Sequence, residues 1–193
     1  MTRKIALILF AFICTAAVCA AQPRNIGIRV GATGLDATYQ HSTNPRQFVE
    51  ANIGLDFGYN ANGKAGMKAS AIYNFIWARP AWTQKGRWAL YAGPGLALGY
   101  ANDIAPYDFE VGKIGCTDNG FMFAIAGQVG LEYQFWFPLA LAVDIRPYFG
   151  IHVSGGKIND PYSNAIIYRE NKVGFYDNGL LGFAPTISVK YLF

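Results

Sequence analysis

The last seven residues of the chain alternate strictly between the two faces of a strand. One face carries large apolar side chains: Ile187, Val189, Tyr191 and Phe193. The opposite face carries the charged side chain of Lys190. A strand with an apolar outer face and a charged inner face is typical of a membrane barrel, because the outer face contacts lipid. A soluble sheet gives the same alternation over one strand, so the rest of the chain has to distinguish the two.

Residues 1–21 have the composition of a secretory signal peptide. Arg3 and Lys4 form a short basic region, an apolar run follows, and small residues supply a cleavage site near Ala20 or Ala21. A transmembrane anchor is the alternative, but the apolar run is short and has no basic residues on its far side. The sequence therefore predicts an exported chain with a signal peptide at 1–21 and a mature domain at 22–193.

Export changes both the cysteine count and the charge. Cys14 and Cys19 lie in the predicted signal, so Cys116 alone remains and no internal disulfide is expected. Removing Arg3 and Lys4 from the 16 basic residues leaves 14 against 12 acidic ones, a formal charge of +2. This balance gives no strongly basic surface, and no nucleic-acid partner is predicted.

The mature sequence alternates apolar and polar residues in segments of about ten, separated by turn residues, as membrane barrels do. Beyond the predicted signal, no stretch approaches the ~20 apolar residues of a helical span. The pattern predicts an all-β fold, an eight-stranded antiparallel up-and-down transmembrane barrel. The eight predicted strands are Asn25–Ala32, Gly34–His41, Gln47–Phe57, Met67–Trp77, Trp88–Ala101, Phe121–Phe135, Leu139–Val153 and Gly179–Phe193.

The orientation of these strands follows if Phe193 lies at the periplasmic end. The predicted periplasmic connections are 42–46, 78–87 and 136–138, and the outer ones are 32–34, 58–66, 102–120 and 154–178. Within the last outer loop, two apolar segments of about five residues flank Glu170–Asn171. Because about 9–11 residues are needed to cross a bilayer, we expect a hairpin projecting above the membrane. Loops 102–120 and 154–178 are the predicted contacts for a protein partner.

Several short blocks are spread over the mature chain. They are Gly27–Gly31, Tyr39–His41, Trp88–Gly95, Gly130–Phe135 and Asp144–Pro147. In these blocks the chain resembles small eight-stranded outer-membrane β-barrels of the OmpA/OmpX type, and more narrowly an uncharacterised outer-membrane β-barrel family. The resemblance implies a fold and a bacterial outer-membrane location rather than an activity. The chain departs from the family's pattern at Gln40, where a base is common, and at Asn74, where an acid is common.

The terminal strand carries a further resemblance. Its alternating apolar residues and final Phe193 resemble the C-terminal assembly signal of outer-membrane barrels. The resemblance implies two partners, the lipids of the outer membrane and the barrel-assembly machinery that reads this strand.

The interior of an eight-stranded barrel is just filled by side chains, so no open pore is predicted. Inward charges in such a space must pair, since an unpaired buried charge is costly. Asp36, Asp56 and Lys68 are among the predicted inward charges. Six others fall in the periplasmic half and are predicted to form one network closing the barrel floor: Arg29, Glu50, Glu132, Asp144, Arg146 and Lys190. A path for protons or ions is the alternative interpretation.

The one pattern that suggests catalysis is His152 followed by Ser154, which resembles the His-x-Ser of lipid A deacylases, also eight-stranded barrels. A triad needs an acid to orient the imidazole. In those enzymes it comes from the following strand, where residues 179–184 offer no carboxylate. Glu170 lies in the predicted projecting hairpin, and His152 has the parity of an inward residue. No cysteine and histidine residues have metal-ligand spacing, and no cofactor is predicted.

The predicted periplasmic rim is basic. It carries Arg24, Arg46, Arg79, Lys85 and Arg87 and no acid. Such a rim suits the anionic headgroups of the inner leaflet. The acidic outer loops could hold calcium, although their ligand spacing is irregular. Together these features predict a non-enzymatic outer-membrane barrel that serves envelope integrity or surface interaction, or is an accessory subunit of a membrane complex. A deacylase-like enzyme and a small channel are the alternatives.

Overall fold

The computed structural model describes residues 23–32, 34–56, 65–109, 112–159, 166–177 and 183–193. Segments 101–109, 112–119, 154–159, 166–172 and 174–177 are described by their backbone alone. The predicted signal peptide lies outside these residues. The strands are β1 Arg24–Gly31, β2 Gly34–Asn44, β3 Gln47–Asp56, β4 Gly66–Ala78, β5 Arg87–Phe109, β6 Gly112–Gln134, β7 Leu139–Ile145, β8 Tyr148–Asn159, β9 Ile166–Asp177 and β10 Thr186–Leu192.

All strand pairs are antiparallel, and the sheet closes on itself. Strands β1 to β6 pair in sequence order, β6 pairs with both β7 and β8, β7 pairs with β10, and β10 returns to β1. Strands β7 and β8 share one position in the ring, and β9 and β10 lie beside them. The result is a closed eight-stranded antiparallel barrel, which confirms the predicted all-β architecture.

Strands β7 and β8 are two parts of one strand interrupted by a proline. The pairs Val129↔Ile145 and Ala126↔Tyr148 keep the same register against β6. Between them, the backbone N–H of Gly127 donates to the Pro147 carbonyl at 3.0 Å. Proline has no N–H to give to the ladder, so the strand is interrupted without a change of register. The predicted strand Leu139–Val153 is therefore correctly placed, and the observed one continues to Asn159.

The predicted outer loop 102–120 is wrong. Strands β5 and β6 pair from Arg87↔Gln134 to Phe109↔Gly112, so residues 102–109 and 112–120 are strand rather than loop. Strand β4 pairs with β5 only as far as Tyr100, and the β5–β6 pairing continues past that point. The sequence pattern missed it because apolar and polar residues do not alternate regularly there, whereas pairing between strand backbones does not require such alternation.

The predicted hairpin around Glu170–Asn171 is also wrong. Strand β9 passes through both residues and pairs with β8 from Phe149↔Asp177 to Asn159↔Ile166, with Glu170 opposite Gly156. The neighbouring strand supplies a complete row of backbone partners, which a local turn would not. The described part of the predicted eighth strand Gly179–Phe193 is strand over β10, and residues 179–182 lie outside the described residues.

The β5–β6 pair and the β8–β9 pair both continue beyond one end of the barrel, where they join. Upper β6 pairs with upper β8 at Cys116↔Ile158 and Gly120↔Ser154, so β5, β6, β8 and β9 continue as four adjacent strands. We call residues 101–109, 112–120, 154–159 and 166–172 the projecting sheet. The opposite end of the barrel has short connections after Asn44, Ala78 and Gln134, and we call it the turn end.

Inward and outward side chains alternate along the barrel strands. On β10, Ser188 and Lys190 are buried, whereas Ile187 and Val189 are exposed. Large apolar side chains cover the outside of every strand around the ring, including Ile28, Ile53, Leu96, Ile125, Val143 and Ile151. The interior contains an apolar cluster of Ile72, Ala97, Met122, Ala124, Ala126 and Tyr148. Within the described part of the chain, no helix is long and apolar enough to cross a membrane.

Candidate functional site

Glu50 on β3 lies at the centre of a group of ion pairs inside the barrel. Its side chain is fully buried. Oε1 accepts a hydrogen bond from Arg146 Nη2 at 2.6 Å, and Oε2 accepts one from Lys190 Nζ at 2.9 Å. Both carboxylate oxygens therefore bind a cation from the opposite wall. Charge-assisted hydrogen bonds of this length are among the stronger polar contacts in proteins.

Lys190 on β10 has a partner for each of its three N–H groups. Nζ donates to Glu50 Oε2 at 2.9 Å, to Glu132 Oε2 at 3.1 Å and to Gln40 Oε1 at 2.9 Å. An ammonium group has three donors and no acceptor, so this arrangement satisfies it completely. Lys190 joins strands β2, β3, β6 and β10 across the barrel interior.

The arginines extend this group towards β1 and β7. Arg29 pairs with Asp36 on the neighbouring strand, and its Nη1 lies 3.5 Å from Asp144 Oδ1. Arg146 Nη2 lies 3.7 Å from the same Asp144 oxygen in addition to its bond with Glu50. The connected set is Arg29, Asp36, Glu50, Glu132, Asp144, Arg146 and Lys190, which we call the lumen network. It contains all six residues predicted for the barrel floor.

The lumen network holds three cations and four carboxylates. All seven side chains are almost completely buried. Removing so many charges from water carries a large desolvation cost, which only close pairing and further hydrogen bonds can offset. Each charged side chain in this part of the interior is therefore stabilised by a partner on another strand.

Neutral amides add further hydrogen bonds to the lumen network. Gln128 Nε2 donates to Glu50 Oε1 at 3.4 Å, and its Oε1 accepts from Asn74 Nδ2 at 2.9 Å. Gln40 accepts from Lys190, as described above. Gln40 and Asn74 are the two positions where the sequence departs from the resembled family. Each reaches the lumen network through hydrogen bonds rather than through an ion pair.

Asp144 has two neutral donors as well as its arginines. Thr186 Oγ1 donates to Asp144 Oδ1 at 2.8 Å, and the Tyr91 hydroxyl donates to Oδ2 at 3.3 Å. The Tyr91 ring lies against Gly130, where an added Cβ would come within 2.5 Å of the ring carbon Cζ. Gly130 therefore leaves room for the tyrosine that reaches this carboxylate.

Sequence reasoning placed Asp36 inside the barrel but not in the network, and it missed Tyr91, Gln128 and Thr186 as contributors. All four residues occupy inward-facing positions of their strands, and this is the sequence signal that could have identified them. Parity gives the face of a residue but not its height relative to strands elsewhere in the ring, which depends on strand tilt and stagger.

A second buried pair lies apart from the lumen network. Lys68 Nζ is 3.2 Å from Asp56 Oδ1, and the same ammonium lies 6.0 Å from the centre of the Tyr148 ring. Lys68 and Asp56 were both predicted to face inward. The Tyr148 ring belongs to the apolar cluster, so this second pair lies beside that cluster.

The His152 and Ser154 pair lies on β8, with His152 half-buried. His152 is opposite Met122 on β6 and Gly174 on β9, and Ser154 is opposite Gly120 and Lys172. Glu170 lies four residues along β9 from Gly174, which corresponds to about 13 Å at ~3.3 Å per residue. A hydrogen bond from a triad acid to the imidazole requires about 2.6–3.2 Å. The backbone register therefore does not bring Glu170 to His152.

The terminal strand closes the ring on β1. The backbone N–H of Phe193 donates to the Arg24 carbonyl at 2.9 Å, and that of Arg24 donates to the Phe193 carbonyl at 3.2 Å. The outward side chains of this strand are Ile187, Val189, Tyr191 and Phe193, and all are exposed. The residues predicted as an assembly signal thus form an apolar stripe beside β1.

The fold and the paired interior define the class of this protein as a closed eight-stranded antiparallel β-barrel with a charged, internally paired lumen. The chain matches no protein-family model, no curated protein and no solved structure. Among the residues that the structure describes, no three His, Cys, Asp or Glu side chains are grouped so as to hold a metal ion.

Proposed function

We propose that this protein is a non-enzymatic integral protein of the bacterial outer membrane, of the OmpA/OmpX type. It serves envelope integrity and surface interaction, alone or as an accessory subunit of a membrane complex. The observation that carries the proposal is the polarity of the barrel wall. Charged residues face inward and are paired, while large apolar side chains cover the outside, an arrangement that suits lipid as the surrounding solvent.

An aromatic array at the turn end supports a membrane interface there. Trp82 packs on Trp88, and Trp88 packs on Tyr133, with ring centres 5.3 and 4.6 Å apart. The array continues through Phe135 and Phe137 at 4.7 and 4.9 Å. Tryptophan and tyrosine are enriched where a membrane protein crosses the headgroup region, because their rings are amphipathic.

The projecting sheet supports a role in surface interaction. Within the described segments, the 101–109 part of β5 pairs with β6 only, and β9 pairs with β8 only. Each therefore has one edge whose backbone groups can pair with a strand of a partner protein. The predicted contact regions 102–120 and 154–178 fall largely within this sheet.

A topology experiment tests the proposal. A protease-cleavable epitope is inserted at 110–111 between β5 and β6, and in a second variant between Pro45 and Arg46 at the turn end. We expect both variants in the outer-membrane fraction, with only the 110–111 epitope cleaved by protease added to intact cells. Recovery in another fraction, or cleavage of the turn-end epitope alone, contradicts the proposed location or orientation.

The paired side chains that fill the interior favour this function over that of a channel. A narrow barrel filled by paired side chains has no continuous water path. We therefore expect no steady conductance from the folded protein in planar bilayers. A stable conductance that changes its ion selectivity in Glu50→Gln would favour the channel.

The enzyme alternative has its own test. His152→Ala and Ser154→Ala should leave the lipid A acylation pattern of the host unchanged, because the register keeps Glu170 away from the imidazole. Loss of acyl chains only in cells with the intact pair would establish the deacylase instead.

A further inference from the structure

The turn end of the barrel opens into a cavity of about 630 Å³. Three arginines line it: Arg46 in the β2–β3 turn, Arg79 after β4 and Arg87 at the start of β5. All three are exposed. In the part of the chain that the structure describes, no ion pair joins any of these guanidinium groups to a carboxylate.

The cavity has one acidic lining residue, and that residue is paired with Lys190. Glu132 lies at the cavity floor, where its Oε2 is 3.1 Å from Lys190 Nζ and its Oε1 accepts from Gln134 Nε2 at 2.9 Å. The lumen network beneath the cavity has one more carboxylate than it has cations, and the three arginines at the mouth outnumber that single excess charge. The three arginines leave the mouth strongly positive, which attracts anions.

Contacts at the turn end hold the Arg79 side chain and the backbone beside Arg87. Arg79 Nη2 donates to the Pro45 carbonyl at 2.6 Å, which ties it to the turn containing Arg46 and leaves four N–H donors. Beside Arg87, Gly86 has a φ of +80°, and an added Cβ would come within 2.5 Å of the Tyr133 hydroxyl. That hydroxyl donates to the Lys85 carbonyl at 2.9 Å. A donor that is already held in place, as the Arg79 guanidinium is, loses little freedom on binding, which favours affinity.

The remaining lining residues indicate the chemical character of the rest of the ligand. Phe48, Ile76, Ala89 and Leu192 contribute apolar surface, and Asn25 and Gln40 contribute polar side chains. A volume of this size falls in the range of small-molecule sites, about 300–1,000 Å³. Guanidinium groups bind phosphate oxygens through pairs of parallel hydrogen bonds. A phosphate ester offers two or three terminal oxygens to these donors, and a monoester carries up to two negative charges, so a phosphate suits three arginines better than a single carboxylate does.

We propose that the turn-end cavity is a binding site for an organic phosphate, with Arg46, Arg79 and Arg87 holding the phosphate at the mouth and the apolar wall receiving the rest of the molecule. The phosphate belongs either to a lipid headgroup or to a soluble phosphate ester. In the proposed orientation this end faces the periplasm, but the binding itself does not depend on that orientation.

Isothermal titration of the full-length mature barrel in dodecyl maltoside, which carries no phosphate, tests the site. The probes are sn-glycerol 3-phosphate and dihexanoyl phosphatidylglycerol, with glycerol and dihexanoylglycerol as uncharged counterparts. We expect at least one phosphate probe to bind at a single site and its uncharged counterpart not to bind. Binding of both phosphate probes identifies a general phosphate ester site. Binding of the lipid alone identifies a headgroup site, and binding of the soluble probe alone identifies a soluble ligand.

The variants assign the binding to this cavity. Arg87→Gln should raise the Kd several-fold, and the triple variant Arg46→Gln, Arg79→Gln, Arg87→Gln should raise it at least tenfold. Lys85→Gln removes an exposed charge from the same rim but outside the cavity lining, and it should change the Kd less than twofold. Each variant is first shown to fold by its gel mobility before and after boiling. Absence of binding by both probes, or equal losses in Lys85→Gln and Arg87→Gln, overturns the proposal.

Discussion

Glu50 and Lys190 are 140 residues apart in the sequence, yet Lys190 Nζ donates to Glu50 Oε2 at 2.9 Å with both side chains about 1% exposed. The contact joins β3 to β10 through the barrel interior rather than along the sheet. It lies at the centre of the lumen network, where Glu50 also binds Arg146. The stability of the barrel should therefore depend on this pair more than on any rim charge.

A double-mutant cycle on this pair measures that dependence. Glu50→Gln removes the charge that Lys190 and Arg146 share, and Lys190→Met removes the ammonium. We expect each single variant to lower the free energy of unfolding by about 3–5 kcal/mol, because a buried charge loses its partner. The double variant should fall short of the sum by about 0.5–3 kcal/mol, as contacting residues do. Urea unfolding in lipid vesicles provides the measurement.

The matched control combines Glu50→Gln with Lys85→Gln. Lys85 is exposed at the turn end, so these two changes should add to within about 0.5 kcal/mol. Additivity of Glu50→Gln with Lys190→Met to the same precision would show that the two side chains do not interact in the folded barrel.

Asp144 should be less critical than Glu50. Its removal leaves Arg29 paired with Asp36 and Arg146 paired with Glu50. We therefore expect Asp144→Ala to cost less than about 3 kcal/mol, below the usual range for breaking a buried pair. Asp144→Asn should be milder still, because its carbonyl can accept from Thr186. In the same unfolding assay, an Asp144→Ala cost equal to that of Glu50→Ala would contradict this ranking.

The outer wall can be tested with a charge facing the proposed lipid. Ile28 lies in the middle of β1 and is 57% exposed. Ile28→Lys should lower stability in bilayers by about 2–4 kcal/mol, the cost of a lysine near the bilayer midplane. Trp136→Lys, at the turn end, should cost only about 0–1 kcal/mol because the interface is polar. Equal costs at the two positions would show that this wall does not face hydrocarbon.

The terminal residue can be tested by assembly in cells. Deleting Phe193 removes two backbone hydrogen bonds to Arg24 and the end of the apolar stripe. We expect several-fold less heat-modifiable protein in the membrane, with export unchanged. Trp77→Ala removes another exposed aromatic side chain from the turn end and should assemble normally. Normal assembly of the Phe193 deletion would remove the terminal residue from the proposed assembly signal.

The sequence by itself determined the face of each barrel residue, because side chains in a strand alternate with a period of two whatever the neighbouring strands are. That rule placed Lys190 inside and Ile187 outside, and it gave the all-β class. It failed beyond the barrel, where 102–109, 112–120 and Glu170–Asn171 are strand rather than loop and turn. Strand pairing there is decided by the backbone of neighbouring strands, which side-chain patterns do not encode.

Only the tertiary structure decided which inward residues meet. Parity put Asp36, Glu50 and Lys190 in one lumen, but strand tilt and stagger set their relative heights and thus their partners. The same closure brings Arg46, Arg79 and Arg87 from three separate chain segments around one cavity. Their basic character was visible in the sequence, whereas their convergence depends on how the ring of strands closes.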